Sequence, residues 1–259
     1  MQQESGHVYS SLFFDYTDAG ARRSAEYFVK TLFPVLSVSS VADFGCGRGT
    51  WLREWQLAGV ETIVGIDGDY VERSELKIAE SQFHAHDITQ SIDLGQRFDL
   101  VQSLEVAEHL PEDAAEQFVT TLTEHGNRIL FSAAVPGQGG EFHVNEQPLD
   151  YWREKFAARG YMPYDFVRPI LAKETEVEPW YRFNSIMYVN DEGAANLPEI
   201  IKATRVEGGA PFSDYSDLAW KLRRAVVGRL PQSTINRISQ VRAEMIARRA
   251  RSRAARQTS

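Results

Sequence analysis

The segment Val41-Ala42-Asp43-Phe44-Gly45-Cys46-Gly47-Arg48-Gly49 constrains this chain more than any other. An apolar, strand-like run enters a Gly-x-Gly-x-Gly turn, and a helical pattern opens at once with Thr50. Glycines at alternate positions permit a tight turn and let a ligand approach the backbone. The helix that follows adds free N–H groups. An ordinary strand-to-helix turn can look the same, so spacing has to discriminate. Eighteen residues after Gly49 stands Asp67, closing the next strand-like run, Ile63-Val64-Gly65-Ile66. A carboxylate there can accept hydrogen bonds from both hydroxyls of a ribose. Asp87 follows the third run, where a carboxylate can meet an adenine amino group. Asp43 bears on the charge of the ligand. A carboxylate at the loop repels a pyrophosphate and attracts an ammonium, which favours a cationic nucleoside over a dinucleotide.

Around this loop, strand-like and helical patterns alternate. Strand-like runs cover residues 38–44, 62–66, 98–104 and 128–135, with a weaker one at 82–85. Helices are expected over residues 50–57, 70–78 and 112–124. This alternation implies βαβ units and a parallel sheet covered on both faces. Pro136-Gly137-Gln138-Gly139-Gly140 must be a loop, since a proline and three glycines oppose regular structure. A helix is expected over 148–159, stopped by Gly160. Strands over 161–167 and 183–189 would complete the sheet. At the start, an aromatic stretch at 12–16 precedes a helix expected over 24–36. Beyond Asp191 a linker punctuated by Pro198, Gly208, Gly209 and Pro211 leads to helices over 220–230 and 235–253.

The motifs, taken in order, resemble those of the class I S-adenosylmethionine-dependent methyltransferases. The resemblance rests on Asp43-Phe44-Gly45-Cys46-Gly47-Arg48-Gly49, Gly65-Ile66-Asp67, His86-Asp87-Ile88 and Phe98-Asp99-Leu100-Val101 with Glu105-Val106-Ala107-Glu108-His109-Leu110, and covers roughly residues 22–190. It implies an α/β, Rossmann-like fold: a seven-stranded, mostly parallel sheet whose last strand is antiparallel, here with a C-terminal helical extension. It divides the chain into an entry segment (1–36), an S-adenosylmethionine-binding methyltransferase domain (37–190) and a linker with a basic helical extension (191–259). It also implies S-adenosyl-L-methionine as cofactor, with Gly45 and Gly47 beside the methionine moiety, Asp43 near its ammonium, Asp67 on the ribose, and Asp87 and Ile88 around the adenine.

In an open α/β sheet, ligands lie beyond the carboxyl ends of the strands. Two loops belong there: the one carrying Glu105, Glu108 and His109, and the glycine-rich one leading to Glu141-Phe142-His143-Val144-Asn145-Glu146. If helical, the first would put its two carboxylates and imidazole on one face. Such a face repels itself or takes up protons unless something positive sits within it. A divalent cation, Mg²⁺ or Mn²⁺, held by Glu105, Glu108, His109 and His143 is one answer. The pattern resembles the metal-binding E-x-x-E-H with a distal His of methyltransferases acting on the 2′-hydroxyl of small-RNA 3′ ends. It also resembles the E-V-x-E-H segment of quinone-biosynthesis O-methyltransferases. Two alternatives stay open: a metal-free site with His143 as general base, and a purely structural role for both loops. His143, Glu105 and His109 are the catalytic candidates.

The stretch from Ser132 through His143-Val144-Asn145-Glu146-Gln147 to Trp152 narrows the resemblance to a bacterial subgroup associated with polysaccharide, glycolipid and secondary-metabolite pathways. A hydroxyl acceptor on a sugar, glycan or small metabolite follows, because Ser103-Leu104-Glu105-Val106 stands where amino-group methylation shows Asn/Asp-Pro-Pro-Tyr. Cys46 lies inside the glycine loop, so it is not placed as a carbon-methylating nucleophile. Arg22 could meet the cofactor's carboxylate and Tyr16 could close over the cofactor, and the aromatics from Trp180 to Phe183 could stack on a substrate ring; surface packing and core packing are the competing readings.

Composition bounds the rest. A single cysteine among 259 residues excludes a disulfide framework and fits a reducing compartment. Residues 1–11 are polar, so no secretory signal is expected, and no apolar run suffices for a membrane span. The net charge of −8 hides a split. Residues 218–259 carry eleven Lys/Arg against one acid, Glu244, a net +10; the first 217 carry seventeen Lys/Arg against thirty-five Asp/Glu, a net −18. The basic part falls outside the resemblance, and so is expected to concern location or a partner. A cytoplasmic protein is expected, with a protein partner or peripheral attachment at the inner membrane surface through 218–259. Nucleic-acid methylation through this segment and a non-catalytic cofactor-binding subunit remain alternatives. An NAD-dependent oxidoreductase is disfavoured by Asp43.

Overall fold

The computed structural model describes the backbone of residues 11–231, 233–235, 237, 238 and 241, with side chains from residue 20 onward in that range. Among the described residues, seven strands form one sheet: β1 Ser40–Phe44, β2 Thr62–Asp67, β3 Phe83–Ala85, β4 Leu100–Leu104, β5 Arg128–Ser132, β6 Met162–Tyr164 and β7 Ile186–Val189. Their order is β3-β2-β1-β4-β5-β7-β6. β1 to β5 run parallel, with Asp43 opposite Gly65 on one side and Gln102 on the other. β7 runs antiparallel to both β5 and β6. This is the mostly parallel, seven-stranded sheet with an antiparallel last strand that the sequence implies. The order reverses between β1 and β4, which opens a crevice at their carboxyl ends.

The helices are α1 Ser11–Leu32, α2 Thr50–Ala58, α3 Ala115–His125, α4 Leu149–Ala157, α5 Val167–Leu171, α6 Pro179–Asn184, α7 Asp191–Ala195, α8 Glu199–Lys202 and α9 Leu218–Val227. They leave the central strands inaccessible along their whole length, polar residues included. All five residues of β4 and of β5 are buried, because helices cover both faces. Phe28 and Leu32 of α1 with Leu52 and Trp55 of α2 pack one face. Phe118 and Leu122 of α3 with Trp152 and Phe156 of α4 pack the other. The polar Gln102 in β4 is tolerated because its Oε1 accepts from Trp55 Nε1 at 2.8 Å.

Three expectations need correction. The helix expected over residues 70–78 is a single 3-10 turn, Arg73–Glu75. Its side chains bond locally instead: Ser74 Oγ donates to Glu72, and Arg73 donates to the Val71 carbonyl and Asp69. Such bonds compete with a helical ladder, and Val71, Leu76 and Ile78 do not fall on one helical stripe. The strand expected over 183–189 starts only at Ile186, because Pro179 opens α6 and carries helix through Asn184. The first helix runs from Ser11, through the aromatic stretch, whose side chains lie outside the described residues, and stops before Pro34. Much of the helix expected over 235–253 also lies outside the described residues.

The segment after β7 does not hang free. Asp165 N donates to the Thr204 carbonyl and Val206 N to the Pro163 carbonyl, extending the sheet edge. The guanidinium of Arg153 lies over Phe212 and that of Arg168 over Phe212 and Tyr215. α9 then packs by the buried Trp220, 6.1 Å from Phe183 between ring centroids. No helix among the described residues is long and apolar enough to cross a membrane.

Candidate active site

The glycine loop lies at the carboxyl end of β1, beside β2. Gly45 N and Cys46 N donate to the Ile66 carbonyl, and Gly47 N donates to Asp67 Oδ2 at 2.7 Å. Gly45 adopts φ 84°, and a Cβ there would lie 2.4 Å from Val106 Cγ2. Only glycine satisfies both conditions. That close approach joins the glycine loop to the E-x-x-E-H loop. Asp67 also accepts from Gly68 N and from the Tyr70 hydroxyl. Burial raises the Asp67 carboxyl, against the downward pull of these donors. Burial likewise pushes Asp43 up to about 7, against the pull of the neighbouring Gln102 amide, and Asp67 adds to the rise. Asp87 lies two residues past β3, exposed, its Oδ1 accepting from the backbone and hydroxyl of Thr89. Ile88 is half-buried beside it. Arg22 is exposed on α1.

The two loops beyond β4 and β5 meet next to this. Glu105 takes a left-handed conformation, φ 57°, held by bonds from its N–H to the backbone carbonyl and Oγ of Ser132. A 3-10 turn, Ala107–His109, follows. Val144 N and Asn145 N both donate to the Glu108 carbonyl, at 2.8 and 3.0 Å, and so fasten the second loop onto the first. The result brings ligand atoms of Glu108, His109 and His143 within 4.8 Å of one another. The imidazoles of His109 and His143 meet edge to face, 4.9 Å between centroids. His143 Nε2 faces Glu108 Oε1 at 3.9 Å. Gly140 makes this possible, because a Cβ there would lie 2.1 Å from His143 Nε2.

Glu105 is placed differently from the expectation. Its carboxylate accepts from Gln138 Nε2 at 2.5 Å and from Asn184 Nδ2 at 3.4 Å; it borders the Glu108 carboxyl but is not one of the three groups that converge within 4.8 Å. The left-handed turn, not a continuous helix, sets it apart from those three. Burial raises both carboxyls, and repulsion from Glu105 lifts Glu108 further. Glu108 Oε2 is buried without a hydrogen-bond partner.

Several contributors are not distinguished by the sequence. Glu146 accepts from His143 Nδ1 at 2.9 Å, from Gly137 N at 2.9 Å and from Gly139 N at 2.7 Å. Burial opposes its charge, but these donors outweigh it and hold the carboxyl below its ordinary value. Glu146 therefore fixes both the glycine-rich loop and the imidazole. Its signal was the H-x-x-E spacing from His143. α9 is the larger surprise. The basic extension, expected to concern location or a partner, packs on the site: Arg223 Nη1 donates to the Gln138 carbonyl at 2.6 Å, and Arg224 donates to the Pro136 carbonyl. The aromatics of α6 are core: Tyr181 packs on Trp51 and Phe28.

A seven-stranded sheet of this order, with a glycine loop after β1 and an acid after β2, defines the Rossmann-like class I methyltransferase fold. The methyltransferase-domain family model matches residues 18–161, and the chain belongs to that family. No curated protein matches the chain in sequence. Among solved structures it is similar to DesVI of Streptomyces venezuelae, at 15% identity, 73% of this chain, 100% of that one and a TM-score of 0.53. It is also similar to magnesium protoporphyrin IX methyltransferase of Synechocystis with bound S-adenosylhomocysteine, at 19% identity, 69% and 88% coverage and a TM-score of 0.50. The sugar N-methyltransferase KedS8 of Streptoalloteichus follows at 16% identity, 73% and 98% coverage and a TM-score of 0.49. At such identities the likeness to the first two is one of fold.

Proposed function

We propose that this chain transfers the methyl group of S-adenosylmethionine to a hydroxyl oxygen of a sugar, glycan or small hydroxylated metabolite. The observation that carries the reading is the Glu146–His143 pair, whose free Nε2 points into the cluster beside the glycine loop. The cofactor supplies an electrophilic methyl on a sulfonium, with a neutral thioether as leaving group. What the chain must add is position and proton removal. Glu146 accepts from Nδ1, so the tautomer with a basic Nε2 is the one the network selects. Nε2 is then the atom that takes the acceptor's proton as the oxygen attacks. Glu105, held by Gln138 and Asn184, stands near that imidazole, whose positive charge favours the ionised carboxyl against the burial that opposes it. The positive-φ glycine turn, the buried Asp43 and Asp67, and Asp87 fit an amino-acid-bearing nucleoside: Asp43 for its ammonium, Asp67 for ribose hydroxyls in place of the Tyr70 hydroxyl, Asp87 and Ile88 for adenine, Gly45 and Gly47 along the methionine.

A second reading has its own observation. The unpartnered, buried Glu108 Oε2 and the two imidazoles beside it fit a divalent cation. Glu108, His109 and His143 would hold it, and it would acidify a bound hydroxyl. With Glu105 outside the set, two nitrogens and one carboxylate favour Mn²⁺ over Mg²⁺, which takes oxygen cages. Glu146 on Nδ1 suits this role too, since ligating imidazoles commonly donate to a carboxylate.

A methyl-transfer screen against sugars, lipid-linked glycans, phenols, amino sugars and RNA tests the acceptor class. Turnover on a hydroxyl, lost by about 10²–10⁴-fold in His143→Ala, is expected. Turnover confined to amines overturns the oxygen reading. EDTA without effect, together with an active Glu108→Gln, overturns the cation.

A further inference from the structure

We propose that the outer face of α9 docks on an anionic lipid bilayer. The helix is turned inside out relative to an ordinary surface helix. Its buried side holds Trp220 and uses Arg223 and Arg224 to grip the carbonyls of Gln138 and Pro136. Its outer side presents Leu218, Leu222 and Val226, at i, i+4 and i+8, with exposures of 72%, 58% and 61%. A solvated helix places such a stripe against the body and its arginines outward. Here the loop of the site has taken the arginines, and the aliphatic stripe faces water. Exposed aliphatics in register mark a surface that something covers.

Charge selects the occupant. The segment from Leu218 onward carries eleven Lys/Arg and one acid. Lys221, which pairs with Asp214 at 3.1 Å, and Arg229 are exposed on and just after α9, and Arg237, Ile238 and Val241 further along are exposed as well. An isologous second copy would bring two such +10 segments together, which like-charge repulsion opposes. An anionic bilayer accepts both features: aliphatics enter the acyl boundary while the basic side chains meet the headgroups. The buried side of the same helix grips the loop leading to His143. Docking therefore sets the candidate site at the membrane surface, where a lipid-borne acceptor would be presented.

The test is co-sedimentation of the full chain with phosphatidylglycerol–phosphatidylcholine vesicles and with pure phosphatidylcholine vesicles. It needs neither cofactor nor acceptor, so its failure leaves the methyl-transfer reading standing. Binding to the anionic vesicles alone, weakened by salt, is expected. Leu222→Glu with Val226→Glu should lower it by about tenfold or more, while thermal unfolding stays unchanged because both side chains are exposed. Lys221→Gln with Arg229→Gln should lower it too. No binding by the wild type, equal binding by the Glu variant, or a dimer that this variant dissolves would overturn the proposal.

Discussion

Glu146 is the residue on which the site turns. It receives two backbone amides of the glycine-rich loop and the imidazole of His143, so one carboxylate sets both the loop and the proposed base. Glu146→Gln keeps the size but loses the charge and offers the loop amides a single acceptor oxygen. Steady-state kinetics should show kcat down by about 10–100-fold, with S-adenosylmethionine affinity unchanged because the glycine loop after β1 is untouched. An equal loss in cofactor affinity would place Glu146 elsewhere in the account. Asp43 makes a different prediction. Burial holds its carboxyl at about 7, so near neutral pH it is half protonated in the free protein. Pairing with the cofactor's ammonium needs the charged form. Affinity should therefore rise with pH, by about fivefold from pH 6 to pH 7, with proton release on binding. For the free protein the sign is opposite. The native state binds this proton more tightly than the unfolded chain, so the stability Asp43 contributes is present below about 4 and lost as pH rises to about 7. Titration calorimetry in buffers of different ionisation enthalpy reads the proton directly.

At the scale of elements, strands were legible because burial on both faces favours apolar clusters, as in Leu100-Val101 of β4 and Ile129-Leu130-Phe131 of β5. Loops were legible where glycine dictated them. The stretch at residues 70–78 was not, because its helical composition is overridden by local bonds of Ser74 and Arg73 and by Tyr70 turning to Asp67. Nor was the left-handed turn at Glu105, whose side chain is taken up by Gln138 and Asn184 at the border of the cluster that its spacing to Glu108 suggests. His143 was recoverable from the motif, and Glu146 only through its H-x-x-E spacing, which does not by itself show the bonds to Gly137 and Gly139. α9 was legible as an amphipathic helix and illegible in its orientation: which face turns inward depends on carbonyls of Pro136 and Gln138, far away in sequence. Trp220→Ala should loosen this contact. Amide exchange at Gly137 and Gly139 is expected to quicken by about tenfold or more while α3 and the central strands keep their protection. Unchanged exchange in the loop would mean that α9 merely rests on it.

For the whole molecule, the carboxyl ends of the central strands gather the glycine loop after β1, the imidazole cluster and α9 into one region. The reversal of strand order between β1 and β4 makes the two halves adjacent, and the contact of Gly45 with Val106 joins them. The −18 of the first 217 residues thus includes Asp43 and Asp67 at the proposed cofactor site, and the +10 of the remainder reaches the site through two arginines of one helix. Everything proposed about chemistry depends on that cofactor. Titration calorimetry of the purified chain with S-adenosylmethionine tests it most directly. The account predicts one site per chain with a dissociation constant of about 1 μM to 1 mM, weakened about 10–100-fold in Asp67→Ala. A folded wild-type chain that binds no S-adenosylmethionine, or a variant that binds it equally well, would contradict the account.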